Sequence, residues 1–147
     1  MTIYLASDHA GYELKEKIKQ FLIDSGYKIQ DCGAFKFDAD DDYPDFVHLA
    51  AKAVSKNPKE SLGIVLGGSG EGEAMVANRY PNVRAAVYYG GDKKIITLSR
   101  EHNGANVLSL GARFLSEKEA LSAVALWLKT PFSRKERHLR RIKKIKS

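Results

Sequence analysis

Short apolar runs alternate with stretches of helical periodicity along most of the chain. Ile3-Tyr4-Leu5-Ala6 reads as a first strand, and Leu14, Ile18, Phe21 and Leu22 then recur at helical spacing up to Gly26, a residue suited to the position just past a helix end. Tyr27 to Cys32 alternates like a second strand. Phe46, Leu49, Ala50, Ala53 and Val54 mark a second helix closed by Asn57-Pro58. Leu62-Gly63-Ile64-Val65-Leu66 is continuous and apolar, the pattern of a strand covered on both faces. Arg84-Ala85-Ala86-Val87 and Asn106 to Leu110 read as two more buried strands. Ser116 to Glu119 is a capping box that opens a helix through Ala120, Leu121, Val124, Leu126, Trp127 and Leu128. After Thr130-Pro131 a basic helix is expected from near Ser133.

Five strands separated by helices predict a single-domain, three-layer α/β/α (Rossmann-like) fold with a five-stranded parallel sheet. With no internal repeat and no low-complexity linker, residues 1–147 read as one domain, 133–147 forming its basic C-terminal helix or tail. In an open α/β sheet, ligands lie outside the carboxyl ends of the strands. That directs attention to Ser7-Asp8-His9, to the loop Gly67–Glu73 and to Gly111-Ala112-Arg113.

A chain of 147 residues is long enough to remove about 70% of its unfolded surface from water. Its longest apolar runs are too short to span a bilayer, and the start Met1-Thr2-Ile3 has neither the basic nor the apolar region of a secretory leader. One cysteine, Cys32, excludes an internal disulfide framework and suits a reducing compartment, so the cytoplasm is the expected location. The net charge of +6 is unevenly spread. The last fourteen residues hold eight Lys or Arg and one Glu, which leaves the body at −1. Such a tail suits nucleic acid or an acidic membrane surface, or equally a helix that lends arginines to a phosphate site. No aromatic residue interleaves with it and no nucleic-acid recognition motif accompanies it, so neither a nucleic acid nor a membrane is expected as primary partner.

The run Gly67-Gly68-Ser69-Gly70-Glu71-Gly72-Glu73 follows the third strand and enters a helical pattern. Its glycines let backbone N–H groups turn toward one point. It lacks the Gly-Lys-Ser/Thr of a P-loop, and the third glycine of a dinucleotide fingerprint would fall at Glu73. An oxyanion hole fits better than a diphosphate cradle; a plain strand-to-helix turn gives the same pattern. Glu73 is either a base beside that anion site or a first-turn acid favoured by the helix dipole. Among the histidines, His9 and His102 fall in loops expected at the ligand end, His138 sits among the C-terminal arginines, and His48 lies within a helix and reads as structural. A metal site built from Asp8, His9 and His102 is the weaker alternative to none, since neither a His-Glu-x-x-His pattern nor a cysteine cluster is present.

Taken together, Ser7-Asp8-His9-Ala10-Gly11, Tyr43-Pro44-Asp45, Gly67 to Ala74 with Ala77-Asn78, and Ser99 to Asn103 with Ala105 to Leu108 resemble ribose-5-phosphate isomerase type B, whose family includes allose- and galactose-6-phosphate isomerases. The resemblance runs from about Ile3 to Arg141. It implies an aldose–ketose isomerase of the pentose phosphate pathway that works through an enediolate without metal or cofactor. It assigns ring opening to His102 with Asp8, the C2–C1 proton transfer to Glu73, and oxyanion stabilisation to the backbone of Ser69, Gly70 and Gly72 with the Ser69 hydroxyl and the Asn103 amide. Gly68 and Tyr43 would line the sugar pocket. His9, Arg113, Arg137 and Arg141 would hold the phosphate, with His138 at the same end. It further implies a homodimer or homotetramer with the active site at the subunit interface, the C-terminal helix reaching into the partner's site. One branch of the family carries a catalytic cysteine where this chain has Gly67; here the base moves to Glu73, and Cys32 is expected to be a small buried apolar residue. The alternatives within the resemblance are a hexose-6-phosphate substrate and a non-catalytic sugar-phosphate-binding subunit. The terminal Lys143, Lys144 and Lys146 read as solvated charge.

Overall fold

The structure, a computed structural model, describes residues 1–145; Lys146 lies outside the described residues. Five parallel strands, β1 (Thr2–Ser7), β2 (Lys28–Asp31), β3 (Ser61–Gly67), β4 (Ala85–Tyr88) and β5 (Val107–Gly111), form one sheet in the order β2-β1-β3-β5-β4. Six helices connect them: α1 (Tyr12–Asp24), α2 (Tyr43–Lys56), α3 (Glu71–Ala77), α4 (Lys94–Glu101), α5 (Glu117–Lys129) and α6 (Glu136–Ile145). The three-layer α/β/α arrangement expected from the sequence is the one observed.

Strand alternation divides the interior into two cores. Ile3, Leu5, Ile64, Leu66, Leu108 and Leu110 pack with Ile18 and Leu22 of α1, Ile96 of α4 and Ala120, Val124 and Trp127 of α5. On the opposite face Ala6, Val65 and Val107 meet Val47, Ala50, Ala51 and Val54 of α2 and Ala77 of α3. Each fully buried Leu or Ile contributes about 2 kcal/mol of apolar burial, so the alternating pattern also fixes the register. β3 and β5 are buried along their whole length, as expected. β4 departs from expectation: it is a sheet edge, and Ala85, Ala86 and Val87 are only half-buried because one flank has no strand neighbour. Cys32 lies just past β2, buried, its thiol pushed up to about 11 by desolvation, which makes it an inert apolar residue. The Ser116–Glu119 capping box opens α5 as read, while the basic helix α6 starts at Glu136, three residues later than expected.

The strand order locates the ligand end. From β1 the chain goes outward to β2 and returns on the other side to β3, so the topological switch point lies between the carboxyl ends of β1 and β3. Ser7-Asp8-His9 and the glycine loop leave the sheet at that point.

Candidate active site

Asp8 is almost fully buried at the end of β1. Its Oδ1 accepts the amides of Ala10 (3.0 Å) and Gly11 (3.3 Å) and so caps the single 3-10 turn that precedes α1. Across the switch point, β3 ends at Gly67 and the loop climbs into α3. Gly70 sits at φ +82°, a conformation costly to any side chain, and a Cβ there would meet the Leu110 carbonyl carbon at 2.9 Å. The Gly70 carbonyl takes the buried Ser109 hydroxyl from β5, which holds the loop down. Among the described residues the amides of Ser69 and Gly70 donate to no other group, while the Glu71 amide is taken by Ser69 Oγ at 3.2 Å. Open amides of this kind form a nest for developing negative charge.

Glu73 is 3% exposed on the first turn of α3 and faces inward, not into solvent as a plain first-turn acid would. Burial holds its carboxyl above the ordinary range; the Asp8 charge adds to this, against a hydrogen bond from its own amide. A Cβ built on Gly67 would fall on the Glu73 carboxylate. The space that a residue-67 side chain would fill is therefore the space Glu73 occupies, which gives a physical reason why Gly67 and a carboxylate at 73 occur together.

Asp8, Tyr43, Gly68, Ser69, Gly72, Glu73, Arg113 and Phe114 line one cleft of about 530 Å³. Its walls come from β1, α2, the glycine loop and the turn after β5. The Arg113 amide bonds the Gly68 carbonyl at 3.1 Å, which fixes that turn against the loop. His9 flanks the cleft and is raised above its ordinary pKa chiefly by a hydrogen bond to Asp41. Seven of the residues singled out in the sequence thus line one cleft, with His9 beside it and Gly70 beneath it.

The remainder do not join them within the chain. His102 was expected in a ligand-end loop; instead it caps the carboxyl end of α4 and leads toward the amino end of β5. The cause is the unread helix α4, which runs antiparallel to the strands and carries the chain back across the sheet. β5 alone is about 13 Å long, so His102 and Asn103 lie at the opposite edge from Glu73. A metal site from Asp8, His9 and His102 is consequently not formed within one chain. Asp8, His9 and Asp41 do offer three ligand atoms within 4.8 Å of one another, but His9 Nδ1 and Asp41 Oδ1 are already bonded to each other at 2.7 Å.

His102 is part of a second cluster. Its ring lies 4.3 Å from that of His138, which is 2% exposed. The Ser133 hydroxyl donates to the Glu101 carbonyl, so it accepts from His138 Nδ1 (2.9 Å), and His138 Nε2 is left to accept Arg137 Nε (3.2 Å). Desolvation first, then the charges of His102, Arg137 and Arg141, hold His138 below its ordinary pKa, consistent with this neutral tautomer. Arg137 and Arg141 stand exposed on α6.

Two arginines not anticipated from the sequence brace this cluster. Arg84 donates to the carbonyls of Asn103 (2.8 Å) and Gly104 (2.8 Å), and Arg100 to those of Thr130 and Ala105 while stacking 5.0 Å over Trp127. Arginine beside a loop rich in unpaired carbonyls is a weak sequence signal. Asp41, inside the acidic stretch before α2, was also unanticipated; its only signal was that stretch itself.

Comparison with known proteins adds an independent line. Residues 3–145 match the family described as Ribose/Galactose Isomerase. Ribose-5-phosphate isomerase B of Mycolicibacterium paratuberculosis is 48% identical over 142 residues, covering 97% of this chain and 87% of the relative. The crystal structure of ribose-5-phosphate isomerase B from Mycoplasma genitalium with bound ribulose-5-phosphate matches with a TM-score of 0.94 at 42% identity, over 99% of this chain and 93% of the other. Ribose-5-phosphate isomerase B of Clostridium thermocellum matches with a TM-score of 0.92 at 41% identity, over 99% and 95%.

Proposed function

The chain belongs to the ribose/galactose isomerase family, and from that premise we propose that it interconverts D-ribose 5-phosphate and D-ribulose 5-phosphate through an enediolate. The observation that carries the reading is the buried Glu73 carboxylate, raised in pKa, beside open loop amides in a cleft bordered by Arg113 and His9.

In the forward direction, the open-chain aldehyde lies with O1 toward the Ser69 and Gly70 amides. Glu73 takes the proton from C2, and the electron pair moves to form the C1–C2 double bond with charge on O1. The hydroxyl proton on O2 passes to O1, and Glu73 returns its proton to C1, leaving the ketone at C2. Each loop donor is worth about 3–4 kcal/mol to the transition state. A carboxyl held above its ordinary pKa is a stronger base when ionised, and a pKa nearer the working pH lets one group both take and return the proton. Asp8 stands at the ring-opening side, and Tyr43 closes the cleft wall over the sugar. Arg113 and His9 anchor the phosphate, which orients C1 and C2.

His102, Asn103, Arg137 and Arg141 serve the cleft of a second copy. Their place at the opposite edge of the sheet supports this reading, as does the exposure of both arginines on one face of α6 at i, i+4. His138, with both ring nitrogens engaged inside the chain, holds Arg137 and His102 in place. The unit is a homodimer or a homotetramer in which the chain acts as one domain and α6 reaches the neighbour. No described helix is long and apolar enough to cross a membrane, and a single buried cysteine accords with a cytoplasmic enzyme.

The test is turnover of ribose 5-phosphate by EDTA-treated protein, with allose 6-phosphate and galactose 6-phosphate in parallel. Robust pentose turnover in EDTA supports the assignment. A higher kcat/KM for either hexose phosphate would move the substrate, and folded protein that binds all three without turnover would leave only a binding role.

A further inference from the structure

The acidic stretch between β2 and α2 contains one carboxylate that does not behave as solvated charge. Asp41 has a side chain only 9% exposed. Its Oδ1 accepts two hydrogen bonds from the same residue, His9: the backbone amide at 2.9 Å and ring Nδ1 at 2.7 Å. The two residues are 32 positions apart, so this contact ties the loop before α2 to the end of β1. The Phe37 ring stands edge-on to the imidazole, perpendicular at 6.1 Å. Asp41 is absent from the cleft lining, and its effect there passes through His9.

We propose that Asp41 is a positioning residue for phosphate binding: it clamps His9 by main chain and Nδ1 together, so that Nε2–H is held out as a charged donor to the substrate phosphate. This rests on the reading of His9 and Arg113 as the phosphate anchor. Bonding of Nδ1–H to the carboxylate fixes the ring's orientation, and it leaves Nε2 as the atom free for a ligand. A neutral imidazole in this orientation would present a lone pair at Nε2 and repel phosphate oxygens. The function therefore requires the doubly protonated form, which a buried carboxylate at 2.7 Å favours. The groups that face His9 are Asp41 and Asp8, which favour its charge, and Arg113, which opposes it. Mutual opposition of His9 and Arg113 is relieved when a dianion enters between them. Asp41 thus stabilises, before substrate arrives, a cation that the empty site would otherwise lose to burial and to Arg113.

The sign of the pH dependence follows. Asp41 raises the His9 midpoint, so its removal lowers the fraction of imidazolium at neutral and mildly alkaline pH and leaves it unchanged at acid pH. In the full chain, Asp41→Asn keeps the shape and a hydrogen-bond acceptor but removes the charge, whereas Asp41→Glu restores the charge. Imidazole NMR titration of His9, inorganic phosphate binding by calorimetry and steady-state kinetics on ribose 5-phosphate are measured from pH 5.5 to 9. For Asp41→Asn the His9 midpoint is expected to fall. Phosphate binding and KM should weaken about tenfold near pH 8, the worth of one charge-assisted hydrogen bond, and the deficit should close toward pH 5.5. kcat should change by less than about threefold, because the reacting carbons are held elsewhere. Asp41→Glu should recover most of the midpoint. An unchanged His9 midpoint in Asp41→Asn, a KM deficit independent of pH, or a loss confined to kcat would overturn the proposal. If instead the midpoint moves while His9 gives no response to phosphate in the wild type, the phosphate-anchor reading is what fails.

Discussion

The two ends of the sheet carry two kinds of site. At the carboxyl end, Asp8 and Glu73 are buried, and the loop beneath the reacting atoms is fixed by the Ser109 hydroxyl and by the Arg113 amide on the Gly68 carbonyl. At the amino end, His102, Asn103, Arg137 and Arg141 lie on a loop and a helix at the surface, braced from behind by Arg84, Arg100 and the buried His138. The first region holds a desolvated carboxyl on a fixed scaffold, which suits the proposed proton transfer, a step whose geometry tolerates little error. The second has what long-range recognition needs, exposed cations and a histidine on a firm backing. The two regions stand apart by the length of the strands, and the proposed composite site joins them only between two copies.

The sharpest way to break the contrast is at the buried end. Glu73→Gln should lower kcat about a thousandfold, the scale of a lost general base, with little change in KM. Gly67→Ala should come next: its Cβ would strike the Glu73 carboxylate, and displacement of the base by about 1 Å is expected to cost about a hundredfold in kcat. Both are read by steady-state kinetics, with a thermal melt confirming the fold. A mixing experiment addresses the two ends together. Glu73→Gln and His102→Ala homodimers should each be inactive, and unfolding and refolding them together should restore about a quarter of wild-type activity, because half the dimers are mixed and each holds one intact composite site. No recovery would place both residues in the same subunit's site. The smallest effect lies in pH. Glu73 acts as carboxylate and its pKa is raised, so kcat should fall as pH drops through a midpoint above the ordinary carboxylate value of about 4.5. An acid limb at or below that value would show that burial does not set the base.

The carboxyl-end half of the site was legible because its residues follow strands that announce themselves. Asp8 comes directly after Ile3–Ala6, and the glycine loop directly after Leu62–Leu66, so local pattern and the rule for open sheets sufficed. His102 was misplaced because the short helix α4 was not read, and one helix more or less decides which edge of the sheet a loop occupies. β4 was read as buried because its small apolar residues look alike at an edge and in the interior. Nothing local distinguishes Asp41 among the four aspartates in the five-residue span Asp38 to Asp42; that one of them turns inward to His9 depends on a contact across 32 residues.

The sequence by itself determined the alternation of strands and helices, the parallel sheet, the confinement of positive charge to the C-terminus, and the glycine loop with its acid. These follow from local periodicity and from steric demands that act over a few residues. Only the tertiary structure decided the strand order that opens a crevice between β1 and β3, the inward turn and raised pKa of Glu73, its occupation of the space above Gly67, and the placement of His102 at the far edge. Those features depend on burial and on packing between segments distant in the chain, which no local pattern encodes.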